Sequence, residues 1–346
     1  MQVINVALCS YGMSGQVFHG PLLEAHTGFK IEKILERTKN NSRGRHPSSE
    51  IVRQFSSILE DPAIELVIVN TPDHLHYEMA EQVLKAKKHV VVEKPFTLKS
   101  FHAGELIRLA RKANVVLTVF QNRRWDGDFL TVREIIENRK LGRLVEFESH
   151  FDRYRNHMQD SWKESDTTGT GTLYNLGSHL IDQALRLFGM PERLFCDSRL
   201  LRDGARTDDS FDLFLHYPDV KCLLRSSYLV REPGPRFILH GTAGSYLKWG
   251  VDPQEEMMNQ GAVPGSEDWG MEPESAWGRI NTEFNGTRLQ GAYPTMPGNY
   301  LAFYDNVYAA IRHGASLQVT AEQACDVVRI IEAAYESSRK GMVINL

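Results

Sequence analysis

Cysteine is scarce: four in 346 residues, at positions 9, 196, 222 and 325, with no C-x-x-C pair. That spacing signals neither a zinc knuckle nor a redox dithiol. Scattered cysteines also fit a reducing compartment. No apolar stretch reaches the ~18 residues needed to span a bilayer. The first residues run straight into a strand pattern, with no basic segment and apolar core of a leader peptide, so none is read. A soluble, cytoplasmic protein is expected. Basic blocks are missing too: 40 basic and 44 acidic residues give a net charge of -4. Such a balance leaves no electrostatic footprint for nucleic acid, and none is expected as a partner. No internal repeat or low-complexity tract interrupts the chain.

What is there is ordinary globular composition, 42% hydrophobic and 24% charged. At roughly 150 residues per domain the length suggests two domains. Up to Phe120 the pattern alternates strand and helix. Strands are read at Val3–Cys9, Phe29–Glu36, Leu66–Asn70, His89–Glu93 and Val115–Phe120. Helices are read from the glycines to about Ala25, at His74–Ala86 and at Ser100–Ala113. Apolar strands without alternation, separated by helices, imply a parallel sheet buried on both faces. The pattern then changes, and the boundary is placed near residue 122, giving domains 1–122 and 123–346. Asp126–Arg139 and Asn175–Phe188 read as helices and Leu144–Phe151 as a strand. Between Arg193 and Trp249, partly alternating runs such as Phe211–Tyr217 and Cys222–Tyr228 suggest antiparallel strands. Residues 252–298 show little periodicity and read as a long loop region. Two helices, about Tyr300–His313 and Ala321–Arg339, finish the chain. The expected fold class is α/β.

After the first strand comes Ser10-Tyr11-Gly12-Met13-Ser14-Gly15, a dinucleotide fingerprint whose first glycine is a serine. Gly12 sits where the backbone must approach a pyrophosphate, and Gly15 where helix and strand pack closely. The following helix start offers free N–H groups to phosphate. On the motif alone, an ordinary strand–turn–helix is about as good a reading. Glu36 ends the second strand, where an acidic residue bonds the adenosine ribose and favours NAD over NADP. Arg37 argues the other way, since a guanidinium beside the ribose holds a 2′-phosphate. Both residues also read as solvated charges after a strand. NAD is the expected cofactor, with NADP open. Asn70-Thr71-Pro72, with His74 and His76 just beyond, follows a buried strand and is assigned to the nicotinamide side. The two histidines point different ways and lack a third ligand, so no metal is expected.

Lys94, in Glu93-Lys94-Pro95, closes an apolar strand at the sheet's carboxyl edge, where open α/β sheets place ligands. A lysine there can stabilise a developing alkoxide or transfer a proton. In most proteins such a lysine snorkels to water; beside a dinucleotide fingerprint it has a use. Asn175, His179 and Asp182 follow a Gly/Thr-rich lead-in at i, i+4 and i+7, one face of a helix. His179 is the natural acid or base there, against the bland reading of a helix histidine held by a local hydrogen bond.

These motifs, together with Gln121-Asn122-Arg123-Arg124-Trp125-Asp126 and Tyr174-Asn175-Leu176-Gly177-Ser178-His179, resemble the Gfo/Idh/MocA oxidoreductases over nearly the whole chain. The Gln121-Asn122-Arg123-Arg124-Trp125-Asp126 run most closely resembles scyllo-inositol dehydrogenase-like members. The resemblance implies a Rossmann domain plus a C-terminal α/β domain with a large, mostly antiparallel open sheet. It implies NAD(P)-linked oxidation of a hydroxyl on a sugar, inositol or related polyol, and a homodimer or homotetramer formed through that sheet. Lys94 and His179 take the catalytic positions, and a cis bond precedes Pro95. Asn122 and Arg123 join the cofactor set, and Arg153, Tyr154 and Trp162 fall where the family lines its cleft. Two departures stand out: Ser10 for the first glycine, and Asn175 for an aspartate. An amide orients a hydroxyl but cannot take its proton. Two other functions remain open on this scaffold: an NAD-dependent glycosidase acting by oxidation and elimination, and a non-catalytic cofactor-binding sensor.

Overall fold

A computed structural model describes residues 2–159, 164, 169–284 and 286–346. The chain divides into two compact units. The first comprises Met1–Trp125, Gln254–Trp269 and Asn299–Cys325; the second comprises Asp126–Pro253, Gly270–Gly298 and Asp326–Leu346. Neither unit is continuous in sequence, whereas a reading in chain order places a single boundary near residue 122. Specific contacts draw the later segments into the first unit. Gln254 Oε1 accepts both the Trp269 indole N–H (2.9 Å) and the Tyr300 main-chain N–H (2.7 Å). Arg312 makes two parallel bonds to Glu65, at 2.7 and 2.8 Å.

The first unit holds six strands: β1 (Ile4–Leu8), β2 (Phe29–Leu35), β3 (Glu50–Val52), β4 (Leu66–Val69), β5 (His89–Val92) and β6 (Leu117–Val119). They form one sheet in the order β3-β2-β1-β4-β5-β6, with all pairs parallel. This is the doubly wound order of dinucleotide-binding sheets, with its switch point between β1 and β4. Every side chain of β4, and Val90, Val91 and Val92 of β5, is fully buried. Each such valine contributes roughly 1.5–3 kcal/mol of burial, which is why these strands carry no polar alternation. Helix Ser100–Ala113 buries Ala103, Leu106, Ile107 and Ala110, an i, i+3, i+4, i+7 stripe. It ends at Asn114 in the left-handed conformation, whose N–H returns to the Ala110 carbonyl.

Among the described residues the second unit carries nine strands: β7 (Leu144–His150), β8 (Arg193–Arg199), β9 (Ser210–His216), β10 (Lys221–Ser227), β11 (Phe237–Gly241), β12 (Gly244–Lys248), β13 (Gly278–Phe284), β14 (Thr287–Tyr293) and β15 (Ile344–Asn345). Their order is β14-β13-β12-β11-β7-β10-β9-β8-β15. Among these described strands only β7 and β10 pair in parallel; the other neighbours are antiparallel. On β9, buried Phe211, Leu213 and Leu215 alternate with half-buried residues, the signature of a sheet covered on one face.

The reading of residues 252–298 as loop needs correction. The stretch holds a helical segment, Gln254–Asn259, and the β13–β14 hairpin. On β13 the inward positions are Gly278, Ile280 and Thr282, so the alternation is real but mostly not hydrophobic. On β14 nearly every residue is exposed because it is the sheet edge. Hydrophobic periodicity has nothing to report in such a strand. A second correction concerns Asn175–Phe188. It is not one regular helix but a π-helical turn, Leu173–Gly177, followed by the α-helix Ser178–Phe188. No described helix is long and apolar enough to cross a membrane.

Candidate functional site

In the first unit the fingerprint turn is tied to the end of β4. The Ser10 N–H donates to Asn70 Oδ1 (2.9 Å), the Ser10 hydroxyl to the Asn70 carbonyl (2.7 Å), and Asn70 Nδ2 to the Ser10 carbonyl (2.9 Å). Ser10 is not among the positive-φ residues, so the turn does not demand glycine there, and the hydroxyl adds a bond across the switch point. The departure from the fingerprint is thereby absorbed. Gly15 is required: a Cβ would lie 2.7 Å from the Ser10 carbonyl oxygen and 3.0 Å from Asn70 Nδ2. At Gly12 a Cβ would meet only Ser10 Oγ, at 4.0 Å, so this position faces open space. That is the cradle a pyrophosphate needs, and Met13 beside it is exposed. The turn continues as a π-helical turn, Ser14–His19, in which Gly20 N–H bonds to the Gly15 carbonyl. The residues present thus fit a dinucleotide.

Glu36 directly follows β2. It is buried, and its carboxylate accepts the N–H groups of Asn41 (2.8 Å) and Ser42 (3.0 Å) and the Ser42 hydroxyl (2.5 Å). Arg53 closes the same loop from below, donating to the carbonyls of Glu36 and Lys39 and to Asn40 Oδ1. Burial pushes the Glu36 carboxyl up, but the Ser42 and Asn41 bonds and the Arg53 charge bring it below the ordinary carboxylate range. The acid expected on the ribose thus anchors its own loop. Arg37, Lys39 and Arg43 stand exposed along that loop.

Other assigned residues separate in the same way. His76 is fully buried with Nδ1 2.8 Å from the Pro95 carbonyl and Nε2 2.9 Å from the Thr71 carbonyl. It joins two loops at the sheet's carboxyl edge instead of facing a ligand. His74 is exposed in the short turn Asp73–Leu75, and Thr71 and Pro72 are half-buried just before it. Asn122 and Arg123 are buried in the turn after β6, where Arg123 pairs with Glu255 at 2.5 Å. Lys94 is the second residue after β5, half-buried, with a cis bond to Pro95. Glu93 beside it is buried and bonded to His19 and to the Lys94 N–H. Ser10, Gly12, Gly15, Asn70, Glu93 and Lys94 thus share the carboxyl edge of β1, β4 and β5.

In the second unit, Asp208 builds the lead-in to His179. Its Oδ2 accepts the Thr172 hydroxyl and the Leu173 N–H, both at 2.8 Å, and its Oδ1 accepts the Tyr335 hydroxyl at 2.6 Å. Gly171, at φ +93°, is obligatory, since a Cβ would fall 2.1 Å from Asp208 Oδ1. Asn175 is half-buried in the π-helical turn, and His179 and Asp182 are buried on the α-helix behind it. Arg153 and Tyr154 are exposed, with the Arg231 guanidinium 4.3 Å above the Tyr154 ring. Trp162 lies outside the described residues. Among the described residues no cluster of histidine, cysteine and carboxylates could hold a metal. Sequence reasoning missed Asp208, Tyr335, His19 and Tyr304. Their partners lie tens to hundreds of positions away, and no local spacing marks them.

The model of the oxidoreductase family's NAD-binding Rossmann fold matches residues 4–121, and that of its C-terminal alpha/beta domain matches residues 133–346. The chain is 40% identical over 346 residues to scyllo-inositol 2-dehydrogenase (NADP(+)) IolW of Bacillus subtilis (strain 168), covering 100% of this chain and 97% of that protein. It is 38% identical over 337 residues to the uncharacterized oxidoreductase YdgJ of Escherichia coli (strain K12), covering 97% and 96%. Among solved structures, an oxidoreductase from Bacteroides fragilis NCTC 9343 superposes with a TM-score of 0.93 at 49% identity, covering 100% of both chains.

Proposed function

We propose, for a chain that belongs to the Gfo/Idh/MocA oxidoreductase family, that it oxidises a secondary hydroxyl of an inositol or related cyclic polyol with NADP⁺, reversibly. The observation that carries this reading is Lys94, a half-buried cation two residues after β5, on the same sheet edge as the open cradle at Gly12. The nicotinamide, when bound, supplies the hydride acceptor. Gly12 and the helical turn behind it hold the pyrophosphate, and Asn70 to Pro72 border the nicotinamide side. The Lys94 ammonium donates a hydrogen bond to the reacting oxygen and stabilises the alkoxide charge. A ring nitrogen of His179 takes the hydroxyl proton. Asn175 orients a neighbouring hydroxyl through its amide, and Arg153 and Tyr154 contact the rest of the polyol.

Two observations support NADP(H) over NAD(H). The Glu36 carboxylate is held by its own loop, while Arg37, Lys39 and Arg43 are exposed beside it and offer cations to a 2′-phosphate. The Bacillus subtilis relative bears NADP(+) and scyllo-inositol in its name. Self-association as a homodimer or homotetramer through the nine-stranded sheet belongs to the same reading.

The test is NADPH formation with a panel of inositols and sugars, read by near-ultraviolet absorbance. Turnover with an inositol and NADP⁺ is expected, and Lys94→Ala should lower kcat by on the order of 10³-fold while NADPH still binds. Absence of turnover with every cyclic polyol and every corresponding ketone refutes the reading.

A further inference from the structure

Glu93, the residue before Lys94, sits in a chain of buried polar groups that the proposed chemistry leaves unexplained. His19 Nε2 lies 3.0 Å from Glu93 Oε1, and His19 Nδ1 lies 2.6 Å from the Tyr304 hydroxyl. Glu93 Oε2 accepts the main-chain N–H of Lys94 at 3.0 Å. His19 and Tyr304 are fully inaccessible and Glu93 is 9% exposed. The three come from separate segments: the end of the fingerprint's π-helical turn, the helix Leu301–His313, and the residue after β5.

A carboxylate only accepts, so Nε2–H donates to Glu93; with a neutral ring, Nδ1 accepts the Tyr304 O–H. Burial pushes the Tyr304 phenol far up, so the hydroxyl keeps its proton. Burial also pushes the Glu93 carboxyl up, but the His19 bond and the neighbouring His19, Lys94 and His76 bring it below the ordinary range. The site therefore holds one fixed negative charge. Stability does not call for this. The His19 ring already packs on Phe120 at 4.4 Å, next to Phe303, and apolar replacement of such networks is often neutral or stabilising.

We propose that Tyr304, His19 and Glu93 form a positioning relay for Lys94. The carboxylate fixes the main chain at Lys94, so the side chain leaves the strand in one direction, and its charge keeps the ammonium protonated. His19 and Tyr304 hold the carboxylate in place. The relay rests on the function proposed above, in which the Lys94 ammonium meets the reacting oxygen.

Glu93→Gln, His19→Gln and Tyr304→Phe, each in the full chain, test it with NADP⁺ and whichever polyol the unaltered protein turns over. Glu93→Gln should lower kcat by on the order of 10²-fold, the effect of a small misplacement of a catalytic group. The Kd for NADPH should stay within about threefold of the original, since the cradle at Gly12 is untouched. The high-pH limb of the kcat/KM profile should move to lower pH, because an ammonium loses its proton more easily without an adjacent anion. The groups facing Glu93 are His19, Lys94 and His76, with Tyr304 behind His19. Tyr304→Phe, which deletes one hydroxyl, should cost roughly fivefold in kcat, and carries the test if Glu93→Gln fails to fold. Original kcat and pH profile in all folded variants, with Lys94→Ala inactive, overturns the relay and leaves the proposed function standing. If the unaltered protein turns over no polyol, the proposed function falls, and the relay is judged by imidazole ¹⁵N NMR. A His19 proton on Nε2 supports it, and a proton on Nδ1 alone overturns it.

Discussion

Glu36→Ala separates two physical roles for one carboxylate. As a ribose ligand it would favour NAD(H), and its loss would weaken NADH binding while relaxing discrimination against NADPH. As the anchor of the loop that follows β2, its loss should do the opposite. Three donors lose their acceptor: the N–H groups of Asn41 and Ser42 and the Ser42 hydroxyl. Asn41 is exposed, so water replaces its bond. Ser42 is fully buried, and a hydrogen bond to a charged group contributes about 1.5–3 kcal/mol. Its two bonds give an expected destabilisation of about 3 kcal/mol or more. The sign with pH follows from the depressed carboxyl. Glu36 contributes stability above its unfolded pKa, and that stability is lost as pH falls through the folded value. The gap between original and variant should be full at neutral pH and should close in acid, below the ordinary carboxylate range. Denaturant unfolding at several pH values measures it, and fluorescence titration gives Kd for NADPH and NADH. The variant should lose NADPH affinity more than NADH affinity, because Arg37, Lys39 and Arg43 are no longer held in place. A stable variant that binds NADPH as tightly as before, and NADH less tightly, refutes the reasoning.

Other outcomes follow from single positions. Gly12→Ala should leave the unfolding midpoint unchanged and weaken NADPH binding at least tenfold, whereas Gly15→Ala should destabilise the fold by about 1–3 kcal/mol, because its Cβ meets the Ser10 carbonyl; calorimetry with and without cofactor distinguishes the two. Gly171→Ala combines a positive φ with a Cβ 2.1 Å from Asp208 Oδ1 and should cost about 2–4 kcal/mol in urea unfolding. Arg37→Ala should raise KM for NADP⁺ about tenfold, the loss of one charge-assisted contact, and leave KM for NAD⁺ nearly unchanged in paired steady-state assays. Light scattering should give a dimer or tetramer mass, and charge introduced on the open face of the nine-stranded sheet should lower it.

Local chemistry made much of the first unit legible. β4 and β5 are strings of buried valine, leucine and isoleucine, and Ser100–Ala113 carries its stripe at helical spacing. Gly12 and Gly15 could be placed because the backbone conditions they meet lie within a few residues. The cis bond before Pro95 came from the family resemblance and is present. Residues 252–298 were not legible, because β13 turns glycine and threonine inward and β14 is an exposed edge. Hydrophobic pattern records burial of large side chains, and these strands bury few.

The sequence by itself determined the parallel sheet, the turn that can cradle a pyrophosphate and the lysine at the end of β5. All three follow from neighbours in the chain: apolar runs, a glycine spacing, a charge closing a strand. Only the tertiary structure decided what the polar side chains do. Glu36 stands where a ribose ligand belongs, and its carboxylate also anchors a loop that Arg53 helps to close. His19 reads as an ordinary helix residue until Tyr304, 285 positions later, meets its ring. A carboxylate or imidazole has several equivalent ways to satisfy its hydrogen bonds, and local spacing does not choose among them. Folding chooses, by removing water and leaving each buried donor one acceptor within reach.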